Sequence, residues 1–483
     1  MNWVFVTLIA VLVGFGPGFF GVDAEEVKMP AVADQKDVVR FWLAVERKGE
    51  FLAKPDEEKL EFMRRLGRKL AEKLPMFENN VFALAGFPKT DKPVEPASAT
   101  PDSATPADPN DLPIERPVMA REWNPAQKQA IDRFRQGNAP ALDALVKEIK
   151  EPTQGLYVKG LIDPKHFGSF LLEIAEMVAK QNNQSRKVKA ERIREEVVPF
   201  LELMELVAFC GKVEREGIDF QFEVRPSPEY IERLGGIASQ AGDAVLPTFI
   251  EPESLLAVWQ MQTPHSPEES AKAMRAYPQT KIFEDYLASA GLSLEKDIFG
   301  LQVREVLVSG NLTPSGEGGI PDVRFIERVA DPMKIMAILP GLKQLAMNMG
   351  VMAQLTVEAQ PYVRVSYFLM QQFALFATVV DDILIITTGK ENLLKTVDRI
   401  KAVKAGKTPG YAIPAKTTRF WKVRFQNLNE QLQKLLQSPL LANKGIPPVS
   451  NLNALNELGD LLVSTNWSEK GIIVRVKLPT VMP

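Results

Sequence analysis

Ser293-Leu294-Glu295-Lys296 fits the S-x-x-K pattern of serine acyl transfer, in which the lysine activates a serine one helical turn away. Ser309-Gly310-Asn311 could supply the S-x-N element and Lys407-Thr408 the start of K-T-G. The set fails on its details. Pro409 stands where the third element needs a backbone donor, and S-x-N follows S-x-x-K too closely for an inserted helical domain. Ser293 therefore reads as a cap on the turn before Asp297.

Other reactive groups are scarce. Cys210 is the single cysteine, so no intramolecular disulfide can form, and the apolar helix predicted around it (LELMELVAFCGK) suits a buried, inert thiol. His166 and His265 are the two histidines, both in loop-like contexts, and with one cysteine they cannot assemble a common zinc set without carboxylates. No metal or other cofactor is expected. Thr387-Thr388-Gly389-Lys390 lacks the upstream glycine of a phosphate loop, and no G-x-S-x-G elbow exists. Adjacent carboxylates such as Asp381-Asp382 would point apart, although a glycosidase needs only two acids that the fold brings together.

The better binding candidate is methionine-rich. Met333, Met336, Met347, Met349 and Met352 lie among aliphatic residues, and thioethers make adaptable apolar surfaces. Together with Tyr362, Tyr367 and Met370 of the following strand they form the candidate lining of an apolar site. An ordinary buried helix would show the same methionine pattern.

The N-terminus sets the context for any such site. Met1–Val22 carries no charged side chain, runs apolar from Trp3 to Phe20, and breaks at Gly16-Pro17-Gly18. Val22-Asp23-Ala24 then supplies small residues for cleavage between Ala24 and Glu25, which predicts an exported chain, periplasmic or extracellular. The run is also nearly long enough to span a bilayer, so an uncleaved anchor is the alternative and the one route to a membrane. Net charge of −3 offers no field to steer the chain toward nucleic acid.

Texture divides the chain into a signal peptide (1–24), a helical segment (25–87), a linker (88–117), a helical domain (118–216) and an α+β domain (217–483). In the second segment Phe62, Leu66, Leu70 and Leu74 recur every four residues, one face of an amphipathic helix. Proline, alanine, serine and threonine dominate the linker, which cannot bury enough surface to offset its ordering entropy. Asn124-Pro125 and Pro140 read as helix entries, and Ala141–Ile149 is periodic.

Beyond residue 217 strand patterns take over. Phe373–Val380 and Ile383–Thr388 predict a hairpin through Asp381-Asp382. Helices are expected to start near 266, 331, 390 and 428, each after a strand. The predicted fold class is α+β: a helical N-terminal half, then a mostly antiparallel sheet with helices on one face and irregular strand–helix repeats.

The pattern LLAVWQM, SAGLSLEKDIFGLQVREVLVSGNL, FALFATVVDDILIITTGKENLLKTVDRI and GIIVRVKLP, over residues 245–483, resembles exported bacterial proteins of planctomycete type, known as a domain of unknown function. The resemblance implies an exported α+β protein and transfers no catalytic residue.

These readings point to a non-catalytic envelope protein with a binding or structural role. Its expected partner is an apolar small molecule, as in a lipid carrier, or an envelope protein. The alternatives are a protein-binding scaffold using the helix within 33–87 and a carboxylate-based hydrolase of envelope glycans.

Overall fold

A computed structural model describes residues 39–48, 81–86, 118–119, 123–167, 201–228, 244–437 and 456–480, with short gaps inside the last three ranges. The chain divides into two units, the first being Met1–Arg233 with Lys470–Ile473 and the second Leu234–Glu469 with Val474–Pro483. The signal segment, the linker and the amphipathic 56–76 stretch lie outside the described residues.

The expected α+β class with a helical N-terminal half is corrected by the structure, in which antiparallel sheet dominates the described residues. The first unit is built on antiparallel strands β1 (Phe41–Lys48), β2 (Val81–Gly86), β3 (Val118–Met119), β4 (Gly155–Ile162), β5 (Met204–Glu214) and β6 (Gly217–Pro226), in the order β6-β5-β4-β1-β2-β3. The physical reason is visible in β4 and β5. Both are buried on both faces, so their side chains show no two-residue alternation, and a short apolar run then reads equally well as helix. Cys210, assigned to a helix from sequence, lies on β5. The missed signal is Arg215-Glu216-Gly217, a two-residue turn closing into Gly217 at φ 134, a backbone conformation that favours glycine.

One long helix covers this sheet. Helix α1 (Pro125–Glu148) starts at Asn124, whose Oδ1 accepts the Gln127 N–H at 2.9 Å while Gln127 Oε1 accepts the Asn124 N–H at 3.0 Å, with Pro125 in the first turn. Pro140 lies inside this helix rather than at a second entry. Ile131, Ala141, Leu145 and Ile149 pack against Trp42, Tyr157, Leu161 and Cys210.

The second unit carries β7 (Leu256–Met261), β8 (Val303–Pro314), β9 (Pro321–Val329), β10 (Val351–Thr356), β11 (Tyr362–Tyr367), β12 (Met370–Val380), β13 (Ile383–Thr387), β14 (Thr417–Arg424), β15 (Asp460–Ser468) and β16 (Gly471–Pro479). Their order is β10-β11-β12-β13-β9-β8-β7-β14-β15-β16. Chain neighbours β12 and β13 form the hairpin through Asp381-Asp382, with Asp381 at φ 53. Helix α2 (Pro267–Arg275) and helix α3 (Gln279–Ser289) precede β8. Helix α4 (Lys390–Lys404) leaves β13 and returns the chain to β14, burying Leu393, Val397 and Ile400. Helix α5 (Leu428–Leu436) follows β14.

The core of this unit lies on the α4 face. Trp259, Leu307, Ile326, Ile383, Ile385, Phe376 and Phe420 form it, with Leu246 and Phe249 of a short 3₁₀ turn. Charged groups close one end. Glu305, 1% exposed, accepts the Val245 and Leu246 backbone N–H groups at 2.9 Å, the Trp259 indole N–H at 3.1 Å and Arg328 at 3.0 Å. Four donors on one carboxylate make it affordable to bury.

Candidate functional site

Strand β13 and the described part of β12 alternate strictly, and the two faces of the sheet differ. Along residues 374–380 of β12 and along β13 every residue facing α4 is buried and every residue facing away is half-buried. The register aligns the outward residues across eight strands: Val463, Trp421, Val258, Val308, Phe325, Ile386, Ala377 and Val363. All eight are apolar and half-buried. On one side of this row lie Leu461, Val423, Leu256 and Val323, the last two 41% and 42% exposed. On the other side lie Arg419, Gln260, Val306, Glu327 and Leu384, so this edge is mixed. The face is thus apolar in its middle and polar along one margin.

Glu327 stands on that margin. Burial pushes its carboxyl up to about 7, and no hydrogen bond or ion pair among the described residues offsets it. Its neighbours across the strands are Val306 and Leu384.

A polar cleft of about 410 Å³ opens on the α4 side of the same sheet. Asn311 and Asp322 face each other on β8 and β9, and Arg324, Asn392, Lys395, Arg424, Gln426, Asn427, Gln431, Thr313 and Glu253 complete the lining. Arg324 grips Asp322 through two bonds, Nε to Oδ1 at 3.3 Å and Nη2 to Oδ2 at 2.9 Å, and also pairs with Glu251. Burial works against the guanidinium charge, but the two carboxylates outweigh it and hold Arg324 above its ordinary pKa. Lys422, 0% exposed, donates to the backbone carbonyls of Glu251, Pro252 and Ser254 and pairs with Asp460 at 3.4 Å. Its pKa is lowered, because desolvation exceeds the pull of Asp460.

The residues singled out from sequence are dispersed. Tyr362 is 6% exposed and belongs to the α4-side core, with its ring 5.9 Å from Phe376, whereas Met333 is 73% exposed. Met352, Tyr367 and Met370 lie on β10, β11 and β12, with Tyr367 paired to Met370. Met336, Met347, Met349, Ala24 and Glu25 lie outside the described residues, as does His265. His166 stands beside Asp163, its Nδ1 at 2.8 Å from Oδ2. Cys210 is buried and its thiol donates to Tyr157 Oη at 3.2 Å.

The acyl-transfer arrangement does not form. Ser293 Oγ accepts the Lys296 N–H at 3.3 Å, and its own N–H donates to Asp297 Oδ2 at 2.7 Å, as a cap does. Among the described residues no group of three or more histidine, cysteine, aspartate or glutamate side chains could hold a metal ion. No described helix is long and apolar enough to cross a membrane.

No family model matches the chain. No curated protein matches it either. Among solved structures it is similar to crystal form I of TP0453, at 9% identity and TM-score 0.23, over 48% of this chain and 78% of that one. That likeness carries no argument about fold or function.

Proposed function

We propose that the chain is an exported, non-catalytic binding protein whose second unit holds a single-chain amphiphile on the sheet face opposite α4. The observation that carries this reading is the eight-strand row from Val463 to Val363, apolar throughout and half-buried. A sheet apolar on both faces must cover the second one or use it. The margin of Arg419, Gln260 and Glu327 favours an amphiphile over a uniformly apolar guest, because a headgroup can sit there while the chain lies on the aliphatic row. Export is supported by the charge-free Met1–Val22 run and the Val22-Asp23-Ala24 site.

The hydrolase alternative cannot use Asp322 and Glu327 together as its acid pair. Asp322 is held on both oxygens by Arg324, and Glu327, five positions further along β9, faces the other side of the sheet. The scaffold alternative rested on a helix within 33–87. Within that range the described residues form strands β1 and β2, and the stretch that carries the predicted helix lies outside the described residues.

The test is titration of the purified protein with dansylaminoundecanoic acid, beside native mass spectrometry of the protein as isolated. Micromolar binding is expected, lost in Val308→Glu and Ile386→Glu. No binding by the wild type, or equal binding by both variants, would overturn the reading. A co-purifying polypeptide removed by the same substitutions would replace the amphiphile with a protein partner.

A further inference from the structure

We infer that the polar cleft between α4, α5 and the ends of β8, β9 and β14 binds an amino acid with an acidic side chain. The site lies on the opposite side of the sheet from the proposed amphiphile face and does not depend on it.

The lining contains no aromatic or aliphatic side chain, so the cleft offers no platform for a sugar ring or an apolar guest. Its hydrogen-bonding groups are already sorted by direction. Asn311 Oδ1 accepts the Leu255 N–H at 3.0 Å, Gln431 Oε1 accepts the Leu312 N–H at 3.0 Å, and Gln426 Oε1 accepts from Arg424 Nη2 at 3.0 Å. With these three carboxamide oxygens engaged, what the three side chains still offer among the described residues are their NH₂ donors. The lining therefore favours a ligand rich in acceptors.

Charge narrows the class. Asp322 and Arg324 neutralise each other, and Glu251 adds to that pair. Arg424 meets no carboxylate among the described residues; its contacts are the Pro252 carbonyl at 3.1 Å and Gln426. Glu253, exposed on the neighbouring loop, forms no salt bridge among them and acts only at longer range on buried Lys422. A guanidinium and a carboxylate that each lack a salt bridge among the described residues, in one small cleft, complement a ligand carrying both charges. Arg424 and the carboxamide NH₂ groups take one carboxylate, Glu253 takes the ammonium, and Lys395, paired to exposed Glu391 at 2.9 Å, remains for a second carboxylate.

Calorimetry with L-glutamate and with glutarate, which has the two carboxylates but lacks the ammonium, tests the assignment. Glutamate is expected to bind at least tenfold tighter than glutarate. Gln431→Glu keeps the acceptor for the Leu312 N–H while replacing the NH₂ donor with charge, and should weaken both ligands at least tenfold. Glu253→Gln should bring glutamate down to the level of glutarate. Binding of neither compound to the wild type overturns the inference. Equal binding of the two overturns it in favour of a plain anion site, and unchanged affinity in Gln431→Glu overturns the placement.

Discussion

Arg324 on β9 and Lys422 on β14 share one transverse row of the sheet, separated by Ala257 and Ser309, and both hold the same loop. Arg324 takes the side chain of Glu251, and Lys422 takes the carbonyls of Glu251, Pro252 and Ser254. Two buried cations thereby fix the segment from which Glu253 reaches the cleft. Lys422→Met keeps the volume but removes the donor from three carbonyls, which should cost about 2–4 kcal/mol. Urea denaturation reads it. Arg324→Met should be similarly destabilising, and the double variant should lose less than the two together, because both act through one loop.

Glu327 makes stability fall with rising pH. Its folded pKa of about 7 stands above its ordinary value of 4.5, so between those values the folded chain binds a proton that the unfolded chain has released. Its carboxyl is fully tolerated below the lower value, and the burden is complete once the pH has passed the upper one. From the 1.36 kcal/mol carried by each pKa unit, the loss at pH 8 is about 3 kcal/mol at most. Glu327→Gln should raise the urea midpoint at pH 8, leave it nearly unchanged at pH 4, and flatten the profile between. A variant profile parallel to the wild type would refute this.

Glycines in the first unit make room for rings. A Cβ on Gly160 would fall within the Phe209 ring, and one on Gly211 within that of Phe220. Phe222 lies 6.1 Å from Phe209 and 6.3 Å from Phe220, so the three rings form one cluster above the two glycines. Gly160→Ala and Gly211→Ala should each cost about 1–3 kcal/mol through overpacking. The check is a lowered thermal midpoint, whereas alanine at Gly137, with nothing within 4 Å, should not lower it.

Cys210 should be unreactive in the folded protein. Burial pushes its thiol pKa up, outweighing the Tyr157 hydroxyl bond, and the thiolate is the reactive form. Ellman's reagent should titrate no thiol in native buffer and one in concentrated urea. Rapid labelling without denaturant would contradict the burial of β5 under α1.

Local chemistry was legible without the fold. Asn124-Pro125 marks the start of α1, Asp381-Asp382 makes the turn between β12 and β13, and Ser293 caps the turn toward Asp297. Each rests on contacts within a few residues, where side-chain type dictates geometry. Strands β4 and β5 were not legible, because burial on both faces erases the alternation that separates strand from helix.

The sequence by itself determined the supply of chemistry: one thiol, two histidines, a charge-free N-terminal run, and alternating strands in the C-terminal half. Only the tertiary structure decided what those groups can do together. Strand order departs from chain order, with β13 beside β9 and β14 beside β7, and it is this that joins Val463, Val308 and Val363 into one apolar row. It also brings Glu253, Asn311, Asp322, Asn392, Arg424 and Gln431 around one cleft, from segments spread over most of the second unit. Pairing between distant strands depends on the burial of whole faces, a property of the assembled sheet that no single stretch of residues contains.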